Sequence, residues 1–157
     1  MADSEEVMRN WEVIKTGEKK ENGIDSSILS GIPRSMPSLL KAYRIQERAA
    51  KFGFDWPAGD RTPVLGKVKE ELREVEAAMM EEDTQQVGEE IGDLFFALVN
   101  LSRHWGINPE EALQKASGIF SSRFRLVERC VLDSGKPWKD FSLDELDDFW
   151  EKAKQSC

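Results

Sequence analysis

Apolar residues recur along most of this chain at the three- and four-residue steps of an amphipathic helix, and nowhere in the alternation of a half-buried strand. The clearest run is Leu65, Val68, Leu72, Val75 and Met79, spaced 3, 4, 3 and 4. It predicts one packed helix, with Thr62 as N-cap and Pro63 at the first helical position. An earlier helix is expected from about Ser38 to Phe52, with Leu39, Leu40, Tyr43, Ile45 and Ala49 apolar, stopping at Gly53. Phe54 to Asp60 reads as a loop. Asp83 or Thr84 caps a further helix, with Gln86 as capping-box partner of Asp83, and Val87, Ile91, Leu94, Phe95 and Leu98 carry the period toward Gly106. Asn108-Pro109-Glu110-Glu111 combines a cap with an N1 proline and starts a helix reaching about Leu132. Ser142-Leu-Asp-Glu145 is a second capping box and opens the last helix. The expected fold is all-α, a bundle of five main helices without internal repeats.

Residues 1–30 read differently, as a linker-like segment with a short helix over Val7 to Lys15 and a charged, breaker-rich stretch from Thr16 to Gly23. The bundle domain is expected over 31–157. A chain of 157 residues suits one domain that needs no metal or disulfide staple. Cys130 and Cys157 are too few for a disulfide framework, and the first residues lack the basic and apolar regions of a secretory signal, so the cytoplasm is the expected compartment. No apolar run is long enough to span a bilayer.

Charge changes the picture more. The net charge is −8, and the segment from Lys67 to Asp93 holds ten acids against three bases, so nearly all of the excess is local. That sign argues against binding a nucleic-acid duplex. Glu71 and Glu74 lie three apart on one helix, Glu90 and Asp93 three apart on the next, and residues so spaced share a face. About a turn centred near residues 82–83, Glu71 comes level with Asp93 and Glu74 with Glu90. Four carboxylates converging beside apolar stripes repel one another unless cations intervene, and an oxygen-only set favours Mg²⁺ or Mn²⁺. The bland alternative is two independent solvated helix faces. Asn100, two turns after Asp93, either lines the resulting pocket or is a hydrogen-bonded bundle residue. His104 is expected to cap carbonyls at a helix end, Cys130 to be a buried thiol, and Lys67 to pair with Glu71.

Glu70-Glu71-x-x-Glu74, fifteen residues, then Glu90-x-x-Asp93 resembles the signature of the MazG nucleoside triphosphate pyrophosphohydrolases. Gly31-Ile-Pro-Arg34, Gly53-Phe-Asp-Trp56, the run Gly92 to Leu101, Arg123-Phe-Arg125 and Trp150 agree with it, over about residues 31–156. The likeness is closest to the C-terminal MazG domain of two-domain members. It implies a helical bundle completed by dimerisation and Mg²⁺-dependent hydrolysis of a nucleoside triphosphate to monophosphate and pyrophosphate by a metal-activated water, a nucleotide-pool housecleaning activity. Glu71, Glu74, Glu90 and Asp93 are then the metal ligands, and Glu70 or Glu89 supports them or orients water. Arg123 matches a phosphate-contacting arginine and Trp150 a tryptophan near the base; an ion pair and a packing role are their ordinary alternatives. The sequence departs from the family pattern at Ser117-Gly118-Ile119-Phe120, where Ile119 replaces a phosphate-binding lysine, and at Gln86, where a lysine can occur. A domain that keeps fold and acids but serves dimerisation or regulation is the alternative reading.

Overall fold

The computed structural model describes residues 27–155, and among them every regular element is helical. The order is α1 (Ser38–Lys51), α2 (Thr62–Met80), α3 (Thr84–His104), α4 (Pro109–Ser134), a 3₁₀ turn (Trp138–Asp140) and α5 (Leu143–Gln155). The expected helix over Val7 to Lys15 and the Thr16 to Gly23 stretch lie outside the described residues. The chain divides into two compact units, one through Glu110 and one from Glu111.

In the first unit α2 and α3 form a hairpin and α1 packs on α3. The turn uses Glu82 in the left-handed region (φ +55°), after which the Asp83 carboxylate accepts the N–H groups of Gln85 and Gln86 at 3.0 and 3.1 Å. Gln86 therefore contributes its backbone to the cap. At the start of α2 the expected N-cap is displaced: Thr62 is already helical, and its N–H donates to Asp60 Oδ1 at 2.9 Å. A carboxylate two residues upstream reaches that donor in an Asx turn, leaving the threonine hydroxyl without the task.

The inward seam of α2 also differs from the expected stripe. Val64, Glu71, Val75 and Ala78 are buried, whereas Leu65, Leu72 and Met79 are 43%, 47% and 61% exposed. The apolar arc of this helix is wider than the seam that packs on α3, and the buried line through Val64, Glu71, Val75 and Ala78 is rotated from the line of Leu65, Leu72 and Met79. On α3 itself Phe95, Phe96 and Leu98 remain substantially exposed.

The second unit contains most of α4, the 3₁₀ turn and α5. Asn108 Oδ1 accepts from Glu110 N–H at 3.0 Å where α4 begins, and the helix runs one turn-half beyond Leu132, to Ser134 before Gly135 at φ +69°. The Ser142–Glu145 capping box closes in both directions: Ser142 N–H donates to Glu145 Oε2 at 2.8 Å and Glu145 N–H to Ser142 Oγ at 3.2 Å. Phe120 stacks on Phe124 and touches Trp150, and Phe124 stacks on Trp138, tying α4 to the turn and to α5.

Candidate metal centre

Glu71 is 5% exposed, because its place on α2 lies between Val64 and Val75 on the seam that meets α3. From α3, half-buried Glu90 and exposed Asp93 project toward it. One carboxylate oxygen from each of Glu71, Glu90 and Asp93 lies within 4.8 Å of the other two. The level pairing read from the turn thus brings three of the four acids into ligand spacing. The fourth, Glu74, stands at the exposed edge, hydrogen-bonded to Glu71 and within the field of Glu90.

The electrostatics divide the acids into roles. Lys67, one turn before Glu71, makes ion pairs with Glu71 Oε1 and with Glu70. The hydrogen bond from Lys67 holds the Glu71 carboxyl below its usual value, against the opposing pull of burial. Glu74 moves the other way: its hydrogen bond with Glu71, then the negative charges around it, raise its carboxyl, so of this pair Glu74 keeps a proton longer. Glu71 Oε2 is buried and has no hydrogen-bond partner. An ionised carboxylate with one buried oxygen unanswered is the environment a cation relieves.

A cavity of about 1140 Å³ opens beside the acids, lined by Lys67, Glu71 and Asp93 together with Gln46, Phe52, Trp56, Phe96 and Asn100. Its rim is latched. Arg103 donates from Nη1 and Nη2 to the two Asp55 oxygens at 2.8 and 2.6 Å, and His104 Nε2 lies 2.9 Å from Asp55 Oδ1. Burial alone would raise the Asp55 carboxyl, but the bonds from Arg103 and His104 outweigh it and hold it below the usual range. His104 therefore reaches across to the 53–56 loop, which replaces the carbonyl cap expected from its helix-end position; a carboxylate is the stronger partner. Arg103 also donates to Asn100 Oδ1 at 3.0 and 2.7 Å, leaving the Asn100 amide nitrogen as the group that side chain offers the cavity.

Of the other residues singled out in the sequence, Glu70 is exposed on α2 and held by Lys67 at 2.9 Å, and Glu89 accepts from Gln85 Nε2 at 3.1 Å. In the second unit, Arg123 is half-buried with its Nε unpartnered, Trp150 is half-buried against Phe120 with centroids 5.0 Å apart, and Ile119 is 42% exposed. Cys130 is a free, half-buried thiol. Sequence reasoning missed Gln46, Asp55 and Arg103. A glutamine within an otherwise apolar helical stripe was the available signal for the first; the other two meet across 48 residues and carry none.

Among the described residues no helix is long and apolar enough to cross a membrane. Residues 44–117, which include the acidic hairpin, match the phosphoribosyl-ATP pyrophosphohydrolase family. The chain is 44% identical over 154 residues to a nucleoside triphosphate pyrophosphohydrolase of Escherichia coli strain K12, covering 97% of this chain and 57% of that protein. It is 40% identical over 146 residues to the nucleoside triphosphate pyrophosphohydrolase/pyrophosphatase MazG of Thermotoga maritima, covering 93% and 54%. Uncharacterized protein YabN of Bacillus subtilis is 39% identical over 154 residues, 98% of this chain and 31% of its own length. The chain spans a little over half of the first two relatives.

Proposed function

The chain belongs to the MazG family, and from that premise we propose that it hydrolyses nucleoside triphosphates to the monophosphate and pyrophosphate with the help of a divalent cation. The observation that carries the reading is the buried, half-answered carboxylate of Glu71 facing Glu90 and Asp93 at ligand spacing. Three hard oxygen donors fit Mg²⁺, with Mn²⁺ as a substitute, better than zinc. Glu71, Glu90 and Asp93 would hold the ion, with Glu74 completing the set from the edge. When bound, such an ion neutralises triphosphate charge and lowers the pKa of a coordinated water.

The chain's own side chains supply the rest. Glu70 beside Lys67, or Glu89 at the start of α3, is placed to support the ligands or to orient an attacking water. Lys67, on the cavity wall, offers positive charge to a polyphosphate. Asn100 offers amide hydrogens fixed by Arg103. Arg123 is the proposed phosphate contact and Trp150 the proposed base neighbour, on the family resemblance and on the suitability of guanidinium and indole for those tasks. The exposed Leu65, Leu72, Met79, Phe95 and Phe96 support a homodimer that covers them. The two cysteines of the chain suit the cytoplasm as its place of work.

Pyrophosphate release from each common nucleoside triphosphate, with Mg²⁺ and with chelator, tests the proposal. Metal-dependent release that Glu90→Gln abolishes supports it. A folded protein releasing no pyrophosphate from any of them sinks it and favours the regulatory alternative.

A further inference from the structure

The inward face of α1 carries a polar residue where its period calls for an apolar one. Gln46 stands three after Tyr43 and three before Ala49 and is 7% exposed. Its Nε2 donates to the Phe96 carbonyl at 2.8 Å. A carbonyl accepts only from the amide nitrogen, so this bond fixes which end of the glutamine points where. Oε1 is left as an oriented acceptor, and it is buried with no hydrogen-bond partner. A dry acceptor of this kind destabilises the fold, and an aliphatic side chain would remove the problem. Gln46 also lines the cavity that Glu71 and Asp93 share, next to Phe96 and Asn100.

We propose that Gln46 reads the nucleobase, its Oε1 accepting an N–H from the hydrogen-bonding edge of a base seated in this cavity. The inference rests on the nucleotide reading of the acidic hairpin. Ile45, Ala49, Phe52 and Trp56 give the cavity apolar and aromatic walls that suit the faces of a planar ring. A ring edge lying against Gln46 answers the acceptor left dry beside these walls. Each common base presents at least one such N–H, an exocyclic amino group or a ring N–H, so Gln46 does not choose among them. It rejects a base whose edge has lost its donor. Gln46 is thus a specificity-determining residue and takes no part in the hydrolytic step.

The test compares kcat/KM for ATP with that for purine riboside triphosphate, which lacks the 6-amino group, and for UTP with its N3-methyl derivative. The wild type is expected to separate at least one pair by roughly tenfold or more, one decade being 1.4 kcal/mol. In Gln46→Met, which keeps the length but not the acceptor, that ratio falls to within about twofold of unity, carried mainly by KM, while the Mg²⁺-induced rise in Tm is unchanged. Should the variant not fold, the wild-type ratios decide alone: equal kcat/KM within both pairs overturns the assignment. A folded variant with the wild-type ratio overturns it too, and leaves the pyrophosphohydrolase reading standing. No pyrophosphate from ATP or UTP in the wild type overturns that reading and this one with it.

Discussion

Lys67 and Glu71 form an ion pair one turn apart on α2 that engages a single carboxylate oxygen, Oε1, while Oε2 of the same glutamate stays buried and unpartnered. The lysine answers part of the demand for positive charge at the hairpin and leaves the rest to a ligand. Removing it transfers the whole demand to that ligand. Lys67→Met is therefore expected to lose about 1–3 kcal/mol of stability in chelator, as for a buried charge deprived of its partner. Millimolar Mg²⁺ should recover more Tm in the variant than in the wild type. Equal metal-induced shifts in the two proteins would show that Lys67 and the cation do not share Glu71.

The acids themselves give a companion expectation. A cation that binds only the folded hairpin stabilises it by linkage, by about 2.7 kcal/mol at a hundredfold excess over Kd, or several degrees in Tm for a chain of this size. Glu90→Gln should remove most of that rise. A wild-type Tm indifferent to Mg²⁺ in a scanning calorimeter would refute the shared site.

Acid sensitivity should expose the latch between Asp55 and the end of α3. The Asp55 carboxyl is held below its ordinary value of 3.8. A group with a depressed folded pKa contributes stability that is fully present above the unfolded value and disappears as pH falls through the folded one. Asp55→Asn is thus expected to be less stable than wild type at pH 7 by about 1.5–3 kcal/mol, the range for hydrogen bonds to charged groups. The gap should begin to close as pH drops below 3.8. Urea unfolding at pH 7 and near pH 3 measures it; a constant gap would deny Asp55 this role.

The secondary structure was legible wherever the determinants were local. Asp83, the Asn108-Pro109 start and the Ser142–Glu145 box satisfy backbone groups two or three residues away, so their chemistry is written in adjacent letters. The meeting of Glu71, Glu90 and Asp93 was legible for a related reason, since a three-residue turn fixes which residues of a helical hairpin stand level. The facing of α2 was not. Of the stripe Leu65, Val68, Leu72, Val75 and Met79, Val75 is buried and Val68 half-buried, while Val64, Glu71 and Ala78 complete the inward seam in place of the three exposed residues. Thr62 lost its cap to Asp60 by a competition between two good acceptors. Asp55 and His104 meet over 49 residues, a separation across which spacing carries no information.

That uncovered stripe predicts association. Leu65, Leu72 and Met79 on α2 with Phe95 and Phe96 on α3 leave one chain more apolar surface than a stable monomer usually shows. Light scattering at micromolar concentration is expected to give the mass of a dimer, and Leu72→Glu to shift it toward monomer. A monomeric wild type would require another occupant for this face.

Ile119 tests the second unit. It is 42% exposed, so a lysine there would not be stranded in a core. If this turn of α4 faces the polyphosphate, Ile119→Lys should raise affinity or turnover by roughly tenfold, as one charge-assisted contact of about 1.5–3 kcal/mol would. Metal dependence should be unaltered. A stable variant without gain in pyrophosphate release would place residue 119 away from the substrate.

The tight turn at Glu82–Asp83 has a consequence for how the chain reaches its fold. It makes the contacts between α2 and α3 nearly the shortest-range tertiary contacts a pair of helices can have, and low contact order favours early formation. Yet the segment from Lys67 to Asp93, turn included, gathers ten acids against three bases, so the first piece of tertiary structure must close against its own repulsion. Ions then act on the speed of folding as well as on its product, because screening or binding at the hairpin lowers the energy of a transition state that already contains it.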